Sequence, residues 1–364
     1  MPKLLGLGES PSVGLQKGVV SDPSLTSKSV IKALEKAETM SGVKADSAYA
    51  SFNGVGINVR NCRVTLSSGN CPFLYEENTC FTSNYEFSAS GIPPDEKVLQ
   101  FIPMGISFER LTSELRVKAI TAKTSDIENL IESARLAGVD IKNIVYGPQA
   151  AAEALLTPTE REFGTVLVDI GAGSTSVSLF NRGFIRDTTV LSIGGEHLSG
   201  DLAIGLRTSL AHAEEILKKY SLFSGKPGSE HEFTGCFDTG EGGKVSTGLI
   251  KLIIEARVHE ILNIITEAVR GFNFPGLLPG GAVFCGGVAR FNGLAALAEE
   301  KMRIPVRTGR AETGGISLEP EHYNAFGLIK YGYSHLYGEG RVSKKKNELN
   351  GGLIGRFSNW FQNR

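Results

Sequence analysis

Residues 166–180 read Val-Leu-Val-Asp-Ile-Gly-Ala-Gly-Ser-Thr-Ser-Val-Ser-Leu-Phe, and no other stretch restricts this chain as tightly. Val166, Leu167, Val168 and Ile170 make a short apolar run of the kind buried on both faces of a sheet. The strand spans Thr165 to Ile170 and delivers Asp169 to its end. A Gly171-Ala-Gly173-Ser174 turn follows, and Thr175 to Phe180 then alternate Val177 and Leu179 with Ser176 and Ser178, a second strand. Glycines let backbone come close to a ligand, and successive N–H groups can cradle an anion. A carboxylate beside such a turn suits Mg²⁺, directly or through water. A dinucleotide fingerprint needs a third glycine and then a helix, but Ser176 stands there and a strand follows. A P-loop needs Gly-Lys-Ser/Thr, which this turn lacks. An ordinary tight hairpin is the competing reading of these residues taken alone.

A second glycine pair strengthens the ligand reading. Ala282-Val-Phe-Cys285 is a buried strand running into Gly286 and Gly287. Asn292 is expected to cap a helix over Leu294 to Met302. A helix N-terminus beside paired glycines suits the sugar and phosphate of a nucleotide.

Elsewhere strands and helices alternate, the pattern of an α/β protein. Helices are expected over 24–41, Ser125 to Ala137 (capped by Thr124 or Ser125), Ala150 to Leu156, His197 to Leu206 and Leu210 to Tyr220. A long helix from Leu249 to Val269 would bury Leu252, Ile253, Ala256, Ile261, Ile264, Ile265 and Val269. Ala48 to Val59 reads as strand with a turn at Gly54 and Gly56. Val98 to Phe108 and Leu115 to Thr121 are shorter strand candidates. Residues 62–90 have no clean period and read as a long excursion, and 224–248 as a glycine-rich loop or hairpin.

The 364 residues suit two domains. Lys plus Arg number 38 and Asp plus Glu 39, a net charge of −1, so composition points away from nucleic acid. Cys62, Cys71, Cys80, Cys236 and Cys285 form no Cys-x-x-Cys and are expected as free thiols, not zinc ligands. Nowhere do about 20 apolar residues run together, so no membrane span is expected.

The last residues have another character. Gly338, Gly340, Arg341, Lys344, Lys345, Lys346, Gly351 and Gly352 make 338–352 a basic flexible linker. Leu353, Ile354, Phe357, Trp360 and Phe361 fall at i, i+1, i+4, i+7 and i+8, one stripe on a helix of 353–364. Such a helix suits the headgroup layer of anionic lipid.

Asp169-Ile-Gly-Ala-Gly-Ser-Thr, Cys-Gly286-Gly287 and Tyr323-Asn-Ala-Phe-Gly327-Leu resemble the second phosphate loop, adenosine loop and second connecting motif of the actin/Hsp70/sugar-kinase superfamily. Within it, Ile193-Gly-Gly-Glu-His-Leu-Ser-Gly-Asp201, Leu206-Arg-Thr-Ser-Leu-Ala-His-Ala-Glu214 and Ile254-Glu-Ala-Arg257-Val-His-Glu resemble the FtsA type of bacterial actin homologue. The likeness is strong from about 126 to 332, and visible in Ser10-Pro-Ser and Lys17-Gly-Val-Val. It implies an actin-like, ribonuclease H-like fold of two related α/β halves, 1–160 and 161–337, with a small lobe inserted at about 61–118. By resemblance, Asp169 would act on Mg²⁺, with Gly171, Gly173, Ser174 and Thr175 around the phosphates of ATP. Glu214 and Lys218 would approach ribose and adenine, Gly286, Gly287 and Val288 would close the adenosine pocket, and Gln149 would orient the attacking water. ATP turnover would be slow at most.

The resemblance also implies partners: the C-terminal tail of the tubulin-like FtsZ, facing the helix that carries Arg257, further copies of the chain, other divisome proteins, and anionic lipid. The setting would be the cytoplasmic face of the cell membrane at the septum. Two departures bear on this. Leu217 replaces a family lysine. Met1 enters where the family has passed its first phosphate hairpin, so two strands of the N-terminal half, about 15–25 residues, are expected to be missing. A pilus assembly protein of the PilM type shares the hairpins but generally lacks such a basic tail. A sugar kinase would need a catalytic base and a polar substrate pocket that the sequence does not offer.

Overall fold

The structure is a computed structural model that describes residues 4–66, 87–103, 114–223, 236–238, 244–313 and 316–334. The tail stripe, the basic linker, Cys71, Cys80 and the end of the strand expected at 98–108 lie outside the described residues.

The N-terminal half opens with a two-residue hairpin, β1 (Leu15–Gln16) and β2 (Val19–Val20), turning through Lys17 and Gly18. Helix α1 (Pro23–Ser41) follows. Asp22 caps it by accepting from the Leu25 N–H at 3.0 Å, Pro23 supplies a preset φ, and Gly42 ends it at φ 70°. Strand β3 (Ser47–Phe52) comes next. The turn expected at Gly54 and Gly56 is present, and Gly56 at φ 94° there sends the chain into another sheet. That sheet contains β4 (Asn58–Leu66), β5 (Phe87–Ser90), β6 (Glu96–Pro103) and β7 (Glu114–Lys123), in the antiparallel order β5-β4-β7-β6. Helix α2 (Thr124–Leu136) then leads to β8 (Asp140–Tyr146), which pairs in parallel with β3. Neither Thr124 nor Ser125 caps α2, and the Thr124 N–H donates to the Asp95 carbonyl instead.

Two helices join the halves: α3 (Gly147–Leu155) and α4 (Pro158–Phe163). In α4, Thr157 and Glu160 form a reciprocal capping box that the sequence reading missed. The C-terminal half then runs β9 (Thr165–Ile170), β10 (Thr175–Asn181), β11 (Phe184–Leu191), α5 (Gly195–Leu206) and α6 (Leu210–Phe223). After β12 (Cys236–Asp238) and β13 (Lys244–Ser246) come α7 (Thr247–Gly271), β14 (Ala282–Cys285), α8 (Leu294–Met302) and β15 (Val306–Thr308). Residues 323–334 form a last helix, α9. The sheet order is β11-β10-β9-β14-β15, with the first three antiparallel and the last three parallel. The run α7-β14-α8-β15 repeats the run α1-β3-α2-β8, the internal duplication of an actin-like fold. Among the described residues the N-terminal half has only the parallel pair β3–β8 where the C-terminal half has five strands.

Strand period two sorts β9 into two cores. Val166, Val168 and Ile170 face one core with Leu198, Leu202, Ile254 and Ile261. Leu167 faces the other, with Tyr146, Ala151, Leu155, Ile102, Ile120 and Phe326. Each large side chain fully buried here contributes about 1.5–3 kcal/mol. In β10 Ser176 and Ser178 are as buried as Val177 and Leu179. Ser178 bonds Thr188 at 2.6 Å and Thr188 bonds the Tyr146 hydroxyl at 2.7 Å, so this alternation marks a buried hydroxyl chain rather than a wet face. Burial pushes the Tyr146 phenol up to about 12, against the opposing bonds from Thr188 and Ser178. The buried face of α7 is Ile250, Ile254, Val258, Ile261, Leu262 and Ile265, while Leu252 is 64 % exposed. Of the expected face Ile261 and Ile265 are buried and Ile253, Ile264 and Val269 pack against the core, whereas Leu252 and Ala256 are exposed, because the first turns of α7 are apolar on more than one side.

Helices α3 and α9 meet backbone to backbone. A Cβ on Gly327 would lie 1.8 Å from the Ala150 carbonyl oxygen. Alanine suits an isolated helix better by about 1 kcal/mol, yet here Gly327→Ala must push two helices apart. We expect a net loss of about 3 kcal/mol in urea denaturation, and equal or greater stability would exclude this contact.

In the four-stranded sheet, Glu96 is enclosed by Arg60, Asn58 and Thr121. Arg60, then Thr121, hold its carboxyl below the ordinary 4.5 against the opposing effect of burial. A depressed folded-state value means the stabilisation is complete above 4.5 and is lost as pH falls through the folded value. Glu96→Gln should therefore lower the denaturation midpoint at pH 7, and the gap to the unsubstituted chain should narrow below 4.5. A gap constant with pH would exclude this ion pair as the cause.

Candidate functional site

Asp169 shares the face of Leu167, so β9 aims it at the seam between the halves and not into the helical core. It is 8 % exposed. Its Oδ2 accepts the Nδ2 of Asn53, just past β3, at 3.4 Å and the Nδ2 of Asn324, on α9, at 3.3 Å. Burial pushes the Asp169 carboxyl up, and the Asn324 hydrogen bond opposes this. The Oδ1 atoms of Asn53 and Asn324 are both buried and have no hydrogen-bond partner. Two orphaned oxygens beside a buried carboxylate are the donor chemistry of a hard cation.

The turn after β9 is shaped by α5. The Gly195 N–H donates to the Gly171 carbonyl at 2.9 Å, and the Glu196 N–H to the Ala172 carbonyl at 2.8 Å. Thr175 Oγ1 donates to the Ile193 carbonyl at 2.7 Å. The turn's carbonyls are thus tied to the start of α5. The N–H groups of Ala172, Gly173 and Ser174 donate to no backbone carbonyl of the described residues, which fits the cradle for phosphate oxygens. A Cβ on Gly173 would lie 3.1 Å from Lys17 Cα and 3.3 Å from a Glu196 carboxylate oxygen. The β1–β2 turn therefore roofs this loop. Glu196 is a like charge beside any phosphate, and phosphate entry requires that side chain to turn away or to meet a cation.

Gly286 closes the other side at φ 84°, where a Cβ would lie 2.4 Å from the Ile170 carbonyl oxygen and 2.5 Å from Asp169 Oδ1. Gly287 faces open space. The two adjacent glycines thus have different tasks: Gly286 is a close approach, and Gly287 leaves room. Val288 packs near Gly195. A 3₁₀ turn over Gly287–Arg290 follows the pair directly, and α8 begins only at Leu294 with Gly293, not Asn292, at its cap. No α-helix start abuts the glycine pair.

Other expected residues are placed less centrally. Gln149 is buried in the first turn of α3, not on a helix surface. Gln100 of β6 donates to its Oε1 at 3.4 Å, and its Nε2 donates to Glu153 at 3.3 Å. Glu214 and Lys218 are exposed, one turn apart on α6, whose Ala213 and Ile216 share a core with Val288. Asn53 and Gln100 escaped the sequence reading, and Gly195 and Lys17 entered it only within family motifs, not as site residues. Asn53 adjoined a glycine turn and Asn324 sat inside the Tyr323–Gly327 motif, the only signals either carried.

Comparisons with known proteins bear on the family and the fold. A family profile described as cell division protein FtsA matches residues 166–327. Cell division protein FtsA of Bacillus subtilis (strain 168) is 31 % identical over 354 residues, 93 % of this chain and 80 % of that protein. That of Neisseria meningitidis serogroup B is 30 % identical, covering 99 % of this chain and 92 % of the relative. That of Escherichia coli (strain K12) is 28 % identical over 100 % of this chain and 92 % of the relative. Among solved structures, the PilM-PilN type IV pilus biogenesis complex aligns at TM-score 0.62 with 16 % identity, over 90 % of this chain and 98 % of that one. MreB5 of Spiroplasma citri bound to ADP aligns at TM-score 0.54 with 15 % identity, over 92 % and 80 %. At these identities the structures speak for the actin-like fold, and the near full-length relatives speak for more: this chain belongs to the FtsA family of cell division proteins.

Proposed function

We propose that the chain is a nucleotide-dependent adaptor of the division septum. It binds ATP with Mg²⁺, associates with copies of itself, holds the C-terminal tail of FtsZ, and attaches peripherally to anionic lipid through residues 353–364. The observation that carries the nucleotide part is the convergence of Asp169, the N–H groups of Ala172 to Ser174 and Gly286 at the ends of adjacent strands. The phosphates would lie on Gly171, Gly173, Ser174 and Thr175, and Gly287 and Val288 would border the adenosine, with Glu214 and Lys218 as its outer contacts. Bound Mg²⁺ would supply charge neutralisation at the phosphates, and Asp169 would orient it. Gln149 would orient the attacking water, and its engagement with Gln100 and Glu153 is in keeping with slow turnover.

The partner part rests on an exposed apolar patch. Ile204 at the end of α5 is 80 % exposed and Leu252 of α7 64 %, with Leu249 also exposed, on two helices that touch where a Cβ on Gly205 would lie 2.6 Å from Ile253. Arg257 is not free for a partner, because its guanidinium brackets Asp201 at 2.6 and 2.9 Å and Glu260 at 2.6 Å. The patch, not Arg257, is the surface for an apolar FtsZ segment. The membrane part rests on the tail stripe. Among the described residues no helix is long and apolar enough to cross a membrane.

One assay tests lipid and partner together. With anionic liposomes, the full chain should pellet and carry FtsZ with it. Deletion of 353–364 should abolish both, whereas Leu252→Asp should release FtsZ alone. Equal pelleting with and without the tail would overturn the anchor.

Calorimetry tests the cleft. Asp169→Asn keeps shape and removes charge, so it should fold normally and bind Mg²⁺-ATP at least about tenfold more weakly. Undiminished binding would remove Asp169 from the site.

A further inference from the structure

The side chains of Asn53 and Asn324 are turned in a way that leaves something unmet. Each gives Nδ2 to the same Asp169 oxygen, at 3.4 and 3.3 Å, and each strands its own Oδ1 in a buried place without a partner. An Asn amide keeps its outline when it turns over, because oxygen and nitrogen exchange positions. With both amides turned, three oxygens converge: the Asp169 carboxylate and two amide carbonyls, each 3.3–3.4 Å from that carboxylate oxygen. Without a cation such a cluster repels itself. Around a cation it is a ligand set: oxygens at right angles lie about 3.0 Å apart on an ion with bonds near 2.1 Å, and about 3.4 Å apart with bonds near 2.4 Å. The observed spacing falls inside that range, toward the larger ions.

The three donors come from separate elements that are already fixed. Asn53 leaves β3 and is held by α3, where a Cβ on Gly147 would lie 2.7 Å from Asn53 Cβ. Asn324 is on the first turn of α9, and Asp169 ends β9. Gly286 covers Asp169 Oδ1, so an ion would meet Oδ2, the atom both amides share.

We propose that Asp169, Asn53 and Asn324 form a divalent-cation site of protein oxygens alone, which takes its ion without nucleotide and ties the N-terminal half to the C-terminal half. The inference rests on reading Asp169 as a cation-facing carboxylate, but it needs no bound ATP. Filling the site turns both amides over, so the two oxygens gain the ion and the two Nδ2 groups take the positions that the oxygens leave.

The test is titration of the nucleotide-free, full chain with Mn²⁺, followed by electron paramagnetic resonance of the free ion. One ion should bind per chain, and saturating Mn²⁺ should raise the thermal midpoint. Asn53→Ala and Asn324→Ala should each weaken binding at least about tenfold. Asn53→Asp should tighten it, since a carboxylate oxygen replaces an amide oxygen, and Mn²⁺ should restore any stability that substitution loses. If the amides are only structural, Asn53→Asp destabilises the chain and Mn²⁺ does not rescue it. That result, or Mn²⁺ binding unchanged in both alanine variants, or no binding at millimolar Mn²⁺, overturns the site. Mg²⁺-ATP calorimetry on the same samples separates the two readings. Nucleotide binding with Mn²⁺ binding indifferent to the asparagines sinks this inference alone. Mn²⁺ binding that follows the asparagines without ATP uptake sinks the nucleotide reading and leaves the cation site standing.

Discussion

Taking a carboxylate out of water costs several kcal/mol unless neighbours compensate, and the compensation of Asp169 sets how the halves of this molecule face each other. Strand parity gives Asp169 no choice of side: Val168 and Ile170 must enter the helical core, so the residue between them faces the seam. Compensation then has to come across the seam, from Asn53 on one half and from Asn324 on the last helix. Neither bond is short. The Asp169 carboxyl is pushed up first by burial, which records that two neutral amides compensate it incompletely. A buried, under-compensated carboxylate at strand ends is a functional-site signature with a stated cause.

What the sequence made legible follows from how local each signal is. The β9–β10 turn was readable because both strands are short, apolar and joined by glycines whose backbone role does not depend on distant contacts. β11 was not readable: Arg186, Asp187, Thr188 and Thr189 look like loop, and only pairing with β10 and the buried Ser178–Thr188–Tyr146 chain makes them strand. Leu252 was assigned to the core because α7 is apolar on more than one side there, and only the packing of α5 against it decides which side is covered. The asparagines were illegible for another reason. Asn53 and Asn324 are 271 positions apart in chain numbering, and nothing local says that both meet Asp169. The amphipathic stripe of the tail was legible as a pattern, because its five members recur at helical spacing.

The inserted sheet is tied to the site more directly than an appended lobe would be. Ile102 and Ile120 enter the same core as Tyr146, Leu167 and Phe180. Lys118 reaches Asp187 on β11 at 2.6 Å, with both side chains about a quarter exposed. Gln100 reaches Gln149. Gln149 is in turn bonded to Glu153, and Glu153 to Arg161 at 2.6 Å. Both ends of the Gln149 amide are therefore occupied, one by the sheet and one by its own helix. A displacement of the sheet must break or drag that amide, because a buried amide cannot exchange its partner for water without loss.

Where the halves can bend follows from which contacts are stiff. The α3–α9 contact is backbone on backbone at Gly327 and Ala150, with no long side chains to slide past one another. Nearby, a Cβ on Gly332 would lie 3.2 Å from the Tyr49 ring, and Tyr49 meets Tyr331 edge to face at 6.5 Å between centroids. Close-packed contacts of this kind resist shear. The bonds from Asn53 and Asn324 to Asp169 are long, polar and reversible. A relative displacement of the halves would therefore cost most at α3 and α9, where backbone meets backbone, and least at Asp169, where two long hydrogen bonds hold.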